Sequence, residues 1–323
     1  MDRRRFLLTS LAGAFAAPLG AGAQKAGKVP RIGLLAPRPN STQEKDFRDG
    51  LRDLGYIEGQ NVVIEYRTTN GRDDAAAGYM AEFVRINVDI IVTWTTPAAL
   101  AAKRATSRIP IVAMTGDPVG TGLVVSLAKP GGNVTGVSIL TDALDYKQLE
   151  LLQEAVPRLG RVGVLSNPAN PVWSDGFDGL QAMASKLGLT LRLLEVRSER
   201  DLEGAFAEAV RERVRGLLVL RDNLFEIHRQ RIVDLAQKHR LPAMYGNRRF
   251  MEVGGLMVLG VNGYVLMRRL GIYVDRIIKG ASPPDLPIEQ PTTFEFIINL
   301  KTAKALGLTI PPSLLVRADE VIE

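Results

Sequence analysis

From Arg31 onward the chain repeats one pattern. A short apolar run is followed by a longer segment in which apolar residues return every third or fourth position. The runs include "IGLLA", "DIIV", "IPIVAM", "VGVL", "GLLVL" and "LPAM". Short apolar runs bounded by turn residues read as buried strands, and the 3.6-residue periodicity between them reads as amphipathic helices. Such alternation predicts parallel sheets covered by helices on both faces.

The pattern occurs twice. "RIGLLAPRPN" from Arg31 and "RVGVLSNPAN" from Arg161 match in Arg, Gly, Leu and Asn at equivalent places. Each is followed by a helical segment, an extended segment, a second helical segment and a buried strand: "VDIIVT" in the first copy, "RGLLVL" in the second. Agreement over five successive elements predicts two doubly wound, Rossmann-like lobes of α/β class with a ligand cleft between them. The period is far too long for a solenoid.

In such sheets ligands bind beyond the carboxyl ends of the strands. Those ends offer Pro37 and Arg38, Thr93 to Thr96, and Thr115 to Asp117 in the first copy. The second copy offers Ser166 and Asn167, Asp222 and Asn223, and Tyr245, Gly246 and Asn247. Within "VTWTTPAAL" (92–100) a strand hands over to a helix; Thr96 is the expected cap and Pro97 the first helical residue. The same helix start carries partial positive charge and suits an anionic group. Trp94 and Trp173 are candidate walls for stacking, or equally core packing.

The first 23 residues break the pattern. "MDRRRFLL" sets three arginines before an apolar stretch to Leu19, and "AGA" (21–23) supplies small residues at signal-peptidase spacing. This predicts a cleavable export signal resembling the twin-arginine type, with Asp2 where Ser or Thr is commoner, a mature start at Gln24 and a periplasmic location. Removing its three arginines and one aspartate lowers the net charge from +6 to +4. The remaining basic residues are interleaved with acids along helices, as in "RSERDLEGAFAEAVRERVRG", which reads as solvated helix face rather than a nucleic-acid footprint.

Recognisable catalytic chemistry is missing from the sequence. There is no cysteine, and the histidines, His228 and His239, fall on one predicted helix about 16 Å apart, too far to share a metal. No P-loop, nucleophile elbow or dinucleotide fingerprint occurs. "KPGGNVTG" (129–136) reads as a turn into a strand. Asp117 and Asp222 could pair across the cleft for acid–base work, but no nucleophile accompanies them. Neither a cofactor nor a metal is expected.

"FRDGLRDLGYIEGQNVVIEYR", "TPAALAAKRATSRIPIV", "GDPVGTGLV", "SLAKPGGNVTGVS", "GVLSNPANP" and "INLKTAKALGLTIPPSLLVRADEVI" together resemble the ABC-transporter substrate-binding proteins that include tryptophan-binding members. The resemblance implies a type I periplasmic-binding-protein fold with three inter-lobe crossings, near 139–142, 260–264 and 286–292. Lobe one would comprise 24–140 with 262–288, and lobe two 141–261 with 289–323. It further implies a monomeric receptor that closes by hinge motion on an amino-acid-like or carboxylate ligand and delivers it to a membrane permease. Its cleft positions correspond to Thr95, Thr96, Pro97, Asp117, Pro118, Asn167, Asp222, Asn223, Tyr245, Gly246 and Asn247. Thr95 and Thr96 would hold an anion, and Asp117 or Asp222 a cation.

The chain departs from the family where Leu259 replaces a common Tyr, where "RDN" (221–223) replaces Pro-Asp-Pro, and where Arg249 replaces an acid. Those arginines raise the expectation of an acidic ligand. Two other readings stand beside the receptor: a sensory domain reporting to a membrane partner, and a two-lobed enzyme.

Overall fold

The computed structural model describes residues 28–139 and 142–323; the expected export signal and part of the first expected crossing lie outside them. The first sheet is built from β1 (Arg31–Ala36), β2 (Val63–Thr68), β3 (Ile90–Thr93), β4 (Ile111–Thr115) and β5 (Val134–Ser138), in the order β2-β1-β3-β4-β5. All its pairs are parallel. Helices α1 (Thr42–Asp53), α2 (Ala76–Arg85) and α3 (Thr96–Ala105) make the return connections.

After α4 (Asp142–Ala155) the scheme restarts. β6 (Arg161–Ser166), α5 (Val172–Lys186), β7 (Thr190–Glu195), α6 (Leu202–Arg211) and β8 (Gly216–Val219) come first. The short α7 (Asn223–Ile227), α8 (Arg229–Lys238), β9 (Ala243–Tyr245) and β10 (Met257–Val261) follow. Strand order here is β7-β6-β8-β9-β10, the same as in the first sheet.

The repeated glycines explain the likeness of the two copies. A Cβ at Gly33 in β1 would lie 2.8 Å from the Phe83 ring, and one at Gly163 in β6 would lie 2.8 Å from Leu194 and 2.9 Å from Leu217. Each central strand therefore lets large apolar neighbours close over its backbone, which a side chain would prevent.

Helix α9 (Gly263–Ile278) leaves β10 and packs against α1, with β4 and β5 also in contact. The approach is close at Gly50, where a Cβ would stand 2.9 Å from the Arg268 Cα. The chain then runs beside β5: Ser138 N donates to Glu289 O at 2.8 Å and Glu289 N donates to Gly136 O at 3.1 Å. The third crossing thus begins after Glu289. β11 (Phe294–Asn299) joins the second sheet antiparallel to β10. α10 (Leu300–Ala305), α11 (Pro312–Arg317) and β12 (Glu320–Ile322) complete it, β12 at its edge.

The histidines do not share a helix. α7 ends at Ile227, His228 is the junction, and α8 ends before His239. Among the described residues no cluster of His, Asp or Glu is arranged to hold a metal, and no helix is long and apolar enough to cross a membrane.

Candidate functional site

The carboxyl ends of both sheets face one cavity of about 460 Å³. This is the size of a small-molecule site. Lobe one contributes Pro37 and Arg38 after β1, Asp73 after β2, Trp94 to Pro97 after β3, and Thr115 with Gly116 at the end of β4. Lobe two contributes Asn170, Val172 and Trp173 after β6, then Arg221 to Asn223 after β8. Gly246, Asn247 and Arg249 follow β9, and Asn262 follows β10.

The lobes touch at two sides of the cavity. A Cβ at Gly116 would come within 2.6 Å of Val172, and one at Gly71 within 2.8 Å of Ile227. These contacts describe a closed cleft.

At β3 the cap falls one residue earlier than expected. Thr95 Oγ1 accepts from Ala98 N at 3.3 Å, so Thr96 is the first helical residue and Pro97 the second. Thr96 Oγ1 is thereby free of capping and accepts from Gly116 N at 3.0 Å, fixing the end of β4 to the start of α3.

Seven of the eleven site residues expected from the sequence line the cavity: Thr95, Thr96, Pro97, Asp222, Asn223, Gly246 and Asn247. The other four serve structure nearby. Asp117 Oδ1 accepts from Gly120 N at 2.8 Å and Val119 N at 3.2 Å, which turns its carboxylate into its own loop. Pro118 is buried in that loop, where its carbonyl accepts from Val124 N at 3.0 Å. Asn167 donates to Asp222 from behind at 3.2 Å. Tyr245 is fully buried and stacks on Phe250 with centroids 4.4 Å apart; burial pushes its hydroxyl pKa well up.

Asp222 is held by three donors from its own lobe. It accepts from Asn170 Nδ2 and Leu224 N, both at 2.8 Å, and from Asn167. Burial raises its pKa, and these three donors oppose the rise. Across the cleft stands Asp73, which composition-blind reading of edge strand β2 passes over. Burial, then the Asp222 charge, then Asp74 push its pKa to about 6. Asp73 follows the end of β2 in "RTTNGRDD", so the strand-end rule applied to the edge strand would have found it.

The cleft arginines each lie against a protein carboxylate, although the buried Arg221 Nε, Nη1 and Nη2 make no hydrogen bond among the described residues. Arg221, almost fully buried, lies 3.2 Å from Asp145, and its carbonyl accepts from Trp173 Nε1 at 3.2 Å. Arg249 donates to Glu226 at 2.7 Å, as does Arg38 at 3.0 Å. Arg248 reaches Glu295 at 3.0 Å and Glu320 at 2.5 Å. The expected cationic wall is therefore largely neutralised by protein carboxylates. Trp94 and Trp173 both line the cavity; the buried Trp94 Nε1 has no hydrogen-bond partner among the described residues.

Comparison with known proteins agrees with this geometry. The sequence model of a family described as "ABC transporter substrate binding protein" matches residues 40–322. A "Tyrosine-binding protein" of Clostridioides difficile is 30% identical over 281 residues, covering 86% of this chain and 80% of that one. A Streptococcus pneumonia ABC domain in complex with L-Trp is 30% identical, with a TM-score of 0.84 over 91% of this chain and 99% of that one. The ligand-free, open structure of a Clostridium difficile substrate binding protein with adhesive properties is 26% identical, with a TM-score of 0.66 over the same shares. With its doubly wound lobes, the cavity between them and a match across most of its length, this chain belongs to the ABC transporter substrate-binding protein family.

Proposed function

We propose that the protein is an exported receptor that closes on a free amino acid, an aromatic one by preference, and presents it to the permease of an ABC transporter. One observation carries the ligand class: Asp73 and Asp222 line the cleft from opposite lobes, while Arg221, Arg248 and Arg249 are each matched to carboxylates of the protein. A ligand ammonium relieves the repulsion between the two acids as the lobes meet. The ligand carboxylate faces the starts of α1, α3 and α9, whose partial positive ends open on the cavity. An aromatic side chain has Trp94 and Trp173 to pack against.

The tyrosine-binding relative and the L-Trp complex support the same class. The higher TM-score with the L-Trp complex than with the open structure fits a closed arrangement. Family membership supports a permease partner and work outside the cytoplasm, with 24–140 plus 262–289 and 141–261 plus 290–323 as the two moving lobes. The expected boundary at 288 moves by one residue because Glu289 pairs with β5. The cleft offers a binding apparatus: Asp222 is held by the Asn167 and Asn170 amides and the Leu224 N–H, and Glu226 by Arg38, Arg249, Gln43 and Asn247.

A thermal-shift panel of amino acids, aromatic carboxylates and dicarboxylates tests the reading. A ligand at a hundred times its Kd adds about 2.7 kcal/mol of stability. Hits confined to amino acids support it; hits only among carboxylates without an amino group overturn it.

A further inference from the structure

Glu226, on the short helix α7 of lobe two, is the most connected side chain at the cleft. Its Oε1 accepts from Arg249 Nη1 at 2.7 Å, from Gln43 Nε2 at 2.8 Å and from Arg38 Nη2 at 3.0 Å. Its Oε2 accepts from Asn247 Nδ2 at 2.9 Å. Asn247 and Arg249 belong to the same lobe and hold the carboxylate in place. Arg38 and Gln43 belong to the other lobe and reach it only when the cleft is closed. The side chains of Glu226 and Arg38 are 14% and 24% exposed, too sheltered to be treated as a solvent-screened surface pair. Beside them, Ile227 meets Gly71 of lobe one.

From this we infer that Glu226 is an interlobe latch: a protein-borne carboxylate, fixed in lobe two, that captures Arg38 and Gln43 of lobe one and sets the closure equilibrium. Every atom of the latch belongs to the chain, so it favours closure whatever occupies the cavity. A ligand that binds the closed form gains affinity in proportion to how populated that form is. The latch therefore scales affinity for all ligands by one factor and leaves their ranking unchanged. A side chain touching the ligand would alter the ranking. The inference depends on the two-lobed geometry and stands apart from the identity of the ligand.

The chain lacks cysteine, so Ser107→Cys and Ser185→Cys, on exposed positions of opposite lobes, give a clean pair for spin labels. Ligand-free distance distributions are measured for the parent, R38A, E226A and R38A/E226A. Each single change is expected to lower the closed-to-open ratio about tenfold or more, the size expected for loss of a charge-assisted hydrogen bond. The double change is expected to match E226A, because E226A already removes the Arg38 bond together with the Gln43 bond, and R38A is expected to be the milder single change. R38A leaves Glu226 bonded to Asn247, Arg249 and Gln43, so it keeps the test valid if E226A unfolds. Titrations with L-tyrosine and L-tryptophan are expected to weaken by a common factor in R38A. Distributions identical in parent and R38A, or additive effects in the double variant, overturn the latch. A changed tyrosine-to-tryptophan ratio would also overturn it, by making Arg38 a ligand contact. If neither amino acid binds the parent, the ligand class fails while the distances still decide the latch.

Discussion

Asn170 Nδ2 donates to Asp222 at 2.8 Å, tying the loop after β6 to the loop after β8 directly beneath the cleft. With Asn167 and the Leu224 amide, it holds the carboxylate that caps α7 in a fixed position. Asp222 is thus both a structural cap and a preorganised charge. D222N preserves shape and one acceptor oxygen but removes the charge and sets an amide NH2 against one of the present donors. It should therefore bind amino acids about tenfold or more weakly and lose less stability than D222A. D222A should in addition lose about 1–3 kcal/mol of stability, because the asparagine amides and the Leu224 N–H lose their acceptor. Calorimetric titration and urea unfolding of the two variants separate these contributions.

Asp73 predicts a pH signature. A carboxyl whose folded pKa lies above its unfolded one holds more protons folded than unfolded between the two values. Its contribution to stability therefore falls as pH rises from 3.8 to about 6 and is flat above. A ligand ammonium favours the ionised form, so affinity should increase over the same window and level off near neutrality. D73N should remove the Asp73 share of both slopes. Titrations at pH 5 and 7.5 check this; a parent affinity independent of pH would detach Asp73 from the ligand.

On sequence alone, D117A is expected to abolish or greatly weaken ligand binding while leaving the fold intact. The turn formed by its carboxylate with Val119 N and Gly120 N leads to a different outcome. D117A should bind nearly as the parent does and lose about 1 kcal/mol of stability, as when a local cap is removed. Parallel titration and thermal unfolding distinguish the two expectations.

The tryptophans should respond unequally to replacement. Trp173 Nε1 donates to the Arg221 carbonyl, whereas Trp94 Nε1 has no partner among the described residues. W173F should thus destabilise the fold about 1 kcal/mol more than W94F. Both indoles line the cavity, and the chain contains no other Trp, so ligand binding should change the intrinsic emission of either single variant.

The lobes were legible in the sequence because one physical requirement is written twice. Gly33 and Gly163 each let large side chains close over a central strand, and the same elements follow in the same order. Strand ends located part of the cavity lining for the same reason, including seven of the eleven expected site residues. Pairing across space left no such trace. Glu226 sits in "FEIHRQR", where it looks like one charge of a solvated helix face, and Arg38 and Gln43 lie more than 180 positions away. Arg249 and Arg221 read as a cationic wall until the structure sets Glu226 and Asp145 beside them. Asp117 resembles a ligand contact from its place after a strand; only the geometry of its turn shows where the carboxylate points.

The most direct test of the central claim is calorimetric titration of the purified protein with L-tyrosine and with its deaminated counterpart, 3-(4-hydroxyphenyl)propanoate. The two differ by the ammonium group assigned to Asp73 and Asp222. Binding of L-tyrosine, with the deaminated compound weaker by about tenfold or more, is the predicted result. Equal or tighter binding of the deaminated compound would contradict the account.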